Sequence, residues 1–296
     1  MNKFETASSV TASLSTIACL FIIFAYLLVP NIRALFHSKV MLLIAISNLL
    51  FSTTAFNPHI QGIFANNGKN SICYAVAFLR ESSFILSLLS TALFAQLLYR
   101  LVKLEDTKLM KFMLAFVVGS ITLAGIISVY PLLTNAYGKY DSYCWIDESL
   151  SKSSFLLTLA LVFYFPLVVV FIHNLVCLII VALDLRRRES QPSCRVFQLL
   201  LFPTALIVCF FGEMIDKMYQ LSSGNQSPDW LRFLGIIGMQ TSGFVNGILY
   251  GLNHQGRAIL GHSCTVGRES VHESILMSRT VSRTNTNSSM SRYKLM

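Results

Sequence analysis

Residues 153–188 read SSFLLTLALVFYFPLVVVFIHNLVCLIIVALDLRRR. Across 153–183 there is no Asp, Glu, Lys or Arg, and then Arg186, Arg187 and Arg188 arrive together. An α-helix needs about 20 apolar residues to cross the roughly 30 Å hydrocarbon core of a bilayer. Basic residues just beyond such a run mark its cytoplasmic end. The stretch therefore reads as a membrane-crossing helix, interrupted by Pro166, that ends on the cytoplasmic side.

Six more runs of this kind flank it. They cover 8–29, stopping at Pro30; 40–64, with an expected kink at Asn57-Pro58; 73–102; 110–133, with Pro131 at its end; 195–221, with Pro203 near its start; and 230–253. The expected fold is all-α, a seven-transmembrane helix bundle. Apolar residues make up 54% of the chain and charged residues 12%, with a mean hydropathy of +0.61. Soluble domains carry roughly 25% charged residues, so the composition agrees with the run count.

The net charge of +9 is not read as a nucleic-acid footprint, because its placement follows the loops. The connections after runs 1, 3 and 5 and the tail after run 7 hold sixteen basic residues, among them Arg33, Lys39, Arg100 and Arg186–Arg188. The opposite side holds four: Lys3, Lys69, Lys139 and Lys152. Basic excess on one side sets an extracellular N-terminus and a cytoplasmic C-terminus. The opening residues are too polar for a secretory leader, so run 1 is expected to act as its own signal anchor with no folded ectodomain before it. The expected organisation is a transmembrane domain over 1–253 and a largely disordered cytoplasmic tail over 254–296, rich in Ser, Thr, Asn and Arg. The expected location is multi-pass in a membrane, the plasma membrane.

Seven cysteines are present, and Cys19, Cys177 and Cys209 fall inside apolar runs as packing residues. Cys73, at the start of run 3, and Cys144, in the loop between runs 4 and 5, are the pair expected to meet the oxidising side, where disulfides persist. A bridge would tie that loop over the mouth of the bundle; two free thiols are the alternative. No CxxC or Cys/His ligand spacing occurs, so neither a metal nor a cofactor is expected.

Seven runs, an outer N-terminus and this cysteine pair resemble a G-protein-coupled receptor. Three local motifs narrow the likeness: Tyr143-Cys144-Trp145-Ile146 in the outer loop; Pro203 followed by Cys209 in run 6; and, in run 7, Gly243-Phe244-Val245-Asn246 with Tyr250-Gly251-Leu252-Asn253. These resemble the cyclic-AMP-receptor-like (class E) group and, more distantly, secretin-type receptors. The chain departs from receptor patterns at Ser47-Asn48-Leu49, where Ser-Asp-Leu is common. It also has no tryptophan in run 4, no acid before Tyr99-Arg100, and no Asn-Pro-x-x-Tyr in run 7. The resemblance implies a receptor that transduces binding of an extracellular ligand to a heterotrimeric G-protein. It does not carry cyclic AMP over as the ligand.

Ionisable residues at membrane depth are costly and tend to face a bundle interior. Arg80 and Glu81 lie about two helical turns in from Cys73. Glu213, Asp216 and Lys217 lie in the outer third of run 6, with Glu213 and Lys217 sharing a face at i,i+4. His59 follows the run-2 kink at similar height. Together these six residues could line a ligand site under the Cys144 loop, suited to a small polar or anionic group held by Arg80. The alternative is an ion pair, Arg80 with Glu213 or Asp216, that locks runs 3 and 6. His59 has a packing role as its alternative.

Gly243, Gly247 and Gly251 recur every fourth residue, which suits close helix packing in lipid. A hinge is the other reading, with Asn246 and Tyr250 as polar partners; Gly243, Asn246, Tyr250 and Pro203 are the expected switch positions. On the cytoplasmic side, Arg100, Arg186, Arg187 and Arg188 are expected G-protein contacts, although orientation and contact with anionic membrane lipids would also account for the run of arginines. In the tail, Arg279 and Arg283 each precede a hydroxyl by three residues, so kinases acting on Ser282 and Thr286 are expected partners.

A transporter or channel is the alternative function. It calls for repeated halves or polar residues through the full membrane depth, whereas the charges here cluster in the outer third. An enzyme is not expected: only His59 and His173 fall within runs, and no Gly-x-Ser-Gly motif occurs. Run 7 has no lysine for a retinal Schiff base.

Overall fold

The computed structural model describes residues 3–33, 36–55, 71–100, 109–140, 143–147, 149–187, 194–223 and 227–252. Asn57-Pro58, His59, Arg188 and the tail 254–296, with Ser282 and Thr286, lie outside the described residues.

The helices are α1 (Lys3–Leu28), the single turn α2 (Pro30–Arg33), α3 (Phe36–Ala55), α4 (Ser71–Tyr99), α5 (Leu109–Leu133), α6 (Lys152–Leu159), α7 (Phe165–Arg187), α8 (Cys194–Ser223) and α9 (Asp229–Leu252). Two strands, β1 (Tyr137–Tyr140) and β2 (Tyr143–Ile146), follow α5. Runs 1 to 4 correspond to α1, α3, α4 and α5, run 5 to α6 with α7, and runs 6 and 7 to α8 and α9. Among the described residues, four helical stretches are long and apolar enough to cross a membrane: Thr6–Leu28, Ser71–Tyr99, Lys111–Leu133 and Lys152–Asp184. A shorter apolar helix covers Ser38–Thr54.

The centre of the bundle is α4, which packs on α3, α5, α7, α8 and both strands. It is buried on most of its circumference, from Cys73 through Glu81, Phe84 and Leu88 to Leu98. On the other side of α3, α1 packs between α3 and α9, and α9 packs along α8. The outlying helix α5 shows how the bundle meets its surroundings. Its buried stripe is Ser120, Ala124 and Ser128, one residue per turn, while Leu114, Val118, Ile121 and Ile126 are exposed. Small residues inward let the backbones approach, and large apolar residues outward suit hydrocarbon.

Pro166 leaves a visible mark. Proline has no N–H to offer the carbonyl four residues back, and its ring crowds that carbonyl. The chain widens into a π turn over Ala160–Tyr164, where the Phe165 N–H reaches the Ala160 carbonyl, and then resumes as α7.

The all-α expectation left out the hairpin. At the end of α5 the chain turns on Asn135, which takes a left-handed conformation with φ 51°. The Asn135 N–H donates to the Leu132 carbonyl at 3.3 Å and the Ala136 N–H to the Pro131 carbonyl at 2.7 Å. That pair of bonds is a Schellman motif, and asparagine tolerates its left-handed residue. The turn sends β1 back over the bundle, where it pairs antiparallel with β2 in the register Tyr137 with Ile146 and Lys139 with Cys144.

Candidate functional site

Cys73, in the first turn of α4, is bonded to Cys144 of β2, with their Cα atoms 5.3 Å apart. The bridge staples the hairpin to the end of the central helix. Further contacts seat it. The Tyr137 hydroxyl donates to the Ser128 carbonyl at 2.8 Å, and the Asp147 N–H donates to the Ala136 carbonyl at 2.8 Å. Gly138 is required here by close approach, since a Cβ would fall 2.7 Å from the Asp147 side chain. Burial, and the nearby Glu81 carboxylate, push the Tyr137 phenol above its ordinary value of 10.

Beside Cys144, Trp145 reaches down into the bundle. Its indole Nε1–H donates to Glu81 Oε2 at 2.7 Å, and its ring meets Phe163 edge-on at 5.8 Å. Phe163 belongs to the π turn, so the irregularity caused by Pro166 carries the ring against which Trp145 packs. Phe163 in turn stacks on Phe84 at 5.1 Å.

Below Trp145 lies a cavity of about 10 Å³, roughly the space of one water molecule. Arg80, Glu81 and Glu213 supply its polar lining, and Phe51, Phe84, Trp145, Phe163 and Met239 its apolar lining. Glu81 is 1% exposed; its Oε2 is taken by Trp145, and its Oε1 has no hydrogen-bond partner among the described residues. The Arg80 guanidinium lies over the Phe51 ring, 5.4 Å from its centre. Glu213 sits against α9 where Gly235 leaves room, since a Cβ there would be 2.5 Å from Glu213 Oε2.

Of the six expected ligand residues, the structure thus brings Arg80, Glu81 and Glu213 to one cavity. Lys217 and Asp216 form the adjoining cluster. Lys217 Nζ is 3.5 Å from Glu213 Oε1 and 3.2 Å from Asp216 Oδ2. Asp216 also accepts from Ser227 and, at 3.0 Å, from Gln220, so it fastens the start of α9 to α8. The described ion pairs of Glu213 and Asp216 run to Lys217 on their own helix, while Arg80 meets Glu213 as a co-lining residue of the cavity.

The expected switch positions on α9 pack against α1. A Cβ on Gly247 would lie 2.7 Å from Ala18 Cβ, and one on Gly243 2.9 Å from Cys19 Sγ, whereas Gly251 has open space beside it. Asn246 and Tyr250 are buried, and the Tyr250 hydroxyl has no hydrogen-bond partner among the described residues. Pro203 is within α8, and Arg186 and Arg187 form the end of α7. Arg100, just past α4, holds its guanidinium over the Phe112 ring of α5, 3.8 Å from its centre.

Two features of the site lay beyond the sequence reading. Trp145 was quoted as part of a motif, with no role; its place next to Cys144 was the available signal, because a bridged strand fixes its neighbour. The second is Ser15 of α1. Its hydroxyl donates to the Gln240 carbonyl and accepts from the Phe244 N–H at 3.2 Å. A side chain thus enters the i to i−4 ladder of α9 just before the Gly243–Asn246 motif, an arrangement that bends helices. Nothing in the sequence distinguishes Ser15 from the other serines of run 1. Among the described residues, no group of three or more His, Cys, Asp or Glu side chains could hold a metal ion.

No protein-family model matches the chain. Over 130 residues it is 25% identical to cyclic AMP receptor-like protein A of Dictyostelium discoideum, a match that covers 43% of this chain and 33% of that protein. The chain therefore matches about a third of the length of this curated relative. The likeness supports a receptor-type relationship and agrees with the group that the outer-loop and run-7 motifs resemble.

Proposed function

We propose that the chain is a seven-span receptor of the plasma membrane, with its N-terminus outside and its C-terminus in the cytoplasm. It binds an extracellular ligand at the Arg80–Glu81–Glu213 cavity and signals to a heterotrimeric G-protein. The observation that carries this reading is the hairpin stapled by Cys73–Cys144, which sets Trp145 as a roof on a buried carboxylate of the central helix. A ligand entering from that side meets Trp145 and Glu81 first. Anything that moves α4 against α8 and α9 there also moves their opposite ends.

Mechanistically the bundle is bistable, and the ligand biases it by binding one arrangement better than the other. The polar seam supplies a joint for such a change. Ser87 of α4 donates to Asn48 of α3 at 2.7 Å, and Ser15 interrupts α9 nearby. No covalent chemistry is called for, so the protein is a transducer and not an enzyme. Arg100, Arg186, Arg187 and Arg188 are the proposed contacts for the G-protein and for anionic lipid. Ser282 and Thr286 are proposed kinase sites in the tail.

Neutralising Arg186, Arg187 and Arg188 together tests the coupling. Nucleotide exchange on the G-protein should fall while surface expression holds. Unchanged exchange removes these arginines as the G-protein contact, and saturable solute flux through proteoliposomes containing the chain overturns the receptor reading in favour of a transporter.

A further inference from the structure

Resting on the receptor reading, we infer that the cavity beneath Trp145 receives an organic ammonium group, held by Glu81 and enclosed by aromatic rings. Four observations point the same way.

The first is the unused acceptor. Glu81 lines the cavity and is almost wholly buried; Trp145 satisfies its Oε2, and its Oε1 has no hydrogen-bond partner among the described residues. A buried acceptor without a donor is costly. An ammonium group carries three donors and no acceptor, which suits that carboxylate oxygen. Glu213 offers a second carboxylate to the same space.

The second is charge. Among the described residues, three carboxylates, from Glu81, Glu213 and Asp216, and two cations, Arg80 and Lys217, gather at the cavity and its adjoining cluster. With all three carboxylates ionised, a cation would balance them in a region of low dielectric, and an anionic ligand would add to their charge.

The third is the wall itself. Phe51, Phe84, Trp145 and Phe163 line the cavity. Ring faces attract ammonium groups, and the attraction grows when water is excluded. Phe51 already accepts the Arg80 guanidinium at 5.4 Å.

The fourth is size. About 10 Å³ admits a group of the dimensions of water. A primary ammonium, close to water in size, suits this space. The remainder of the ligand would lie towards the hairpin and press on Trp145. The inference thus places a ligand cation on Glu81, beside the expected polar or anionic group on Arg80.

The test uses the full chain in lipid nanodiscs with Trp230→Phe, which leaves Trp145 as the single tryptophan. Its fluorescence is titrated with phenethylammonium, with neutral phenethyl alcohol and with anionic hydrocinnamate, all built on the same ring. Phenethylammonium should give a saturable change, and the other two should bind about tenfold or more weakly. Glu81→Gln should weaken phenethylammonium by about tenfold or more and abolish its advantage over the alcohol. Equal or tighter binding of hydrocinnamate, no saturable response to phenethylammonium, or an undiminished response in Glu81→Gln overturns the inference. The three-probe series on unaltered site residues stands even where Glu81→Gln fails to fold. No G-protein enters the assay, so its failure is distinguishable from failure of the receptor reading, which nucleotide exchange decides.

Discussion

At the scale of single residues, the account turns on Glu81 and what holds it. Trp145→Phe keeps a ring against Phe163 but removes the donor to Glu81 Oε2. The carboxylate is then left without that partner in a buried site, which should cost about 1–3 kcal/mol. A thermal melt of the purified protein, with the disulfide verified by mass, measures it. The helix-packing glycines allow an internally controlled comparison. Gly247→Val pushes a branched side chain into Ala18, whereas Gly251→Ala meets nothing within 4 Å. The first should destabilise by about 1–3 kcal/mol, and the second should leave the melting temperature nearly unchanged. Arg80, Glu81 and Glu213 were legible in the sequence because charge at membrane depth is conspicuous. Which of them would share a cavity was not, since that depends on the rotation of α4 and α8 about their axes. A run that is apolar all round does not encode that rotation.

At the scale of elements, the hairpin and the π turn were the parts the sequence concealed. The strands are four residues each, too short for alternation to stand out, and the disulfide supplies the tertiary hold that fixes them. The signals were present in hindsight: aromatic residues on both sides of Asp141-Ser142, and Asn135 after the last apolar turn. Reducing Cys73–Cys144, or replacing Cys144 by Ser, should lower stability by about 2–4 kcal/mol. It should also make the hairpin cleavable by protease before the helices are. Tyr137 gives the hairpin a pH dependence. Its phenol is held above the ordinary value of 10, so the buried form stays neutral while the unfolded form ionises. Stability from this group is therefore complete below pH 10 and declines as pH rises above it. The drop in melting temperature between about pH 8 and about pH 11 should be smaller in Tyr137→Phe than in the unaltered protein.

At the scale of the whole molecule, hydropathy was enough to locate the helices, and four of the described stretches are long and apolar enough to cross a membrane. The order of packing was not available from it. In lipid, inward and outward faces are both apolar, and helices choose neighbours by fit and by a few polar links. Among the described residues these links include Ser15 to α9, Ser87 to Asn48, and Glu81 to Trp145, and none of these is marked by a motif long enough to read. The structure joins them into one path from the stapled hairpin through α4 to α3, α1 and α9. Removing Arg80 takes a cation from the cavity wall and leaves Glu81 and Glu213 facing the same space. Two carboxylates there repel each other, and α4 and α8 should separate. The most direct measurement is therefore G-protein nucleotide exchange without added ligand, comparing Arg80→Ala with the unaltered chain at matched surface level. The account predicts a higher basal rate in Arg80→Ala; the same rate in both would contradict the coupling of the cavity to the cytoplasmic face.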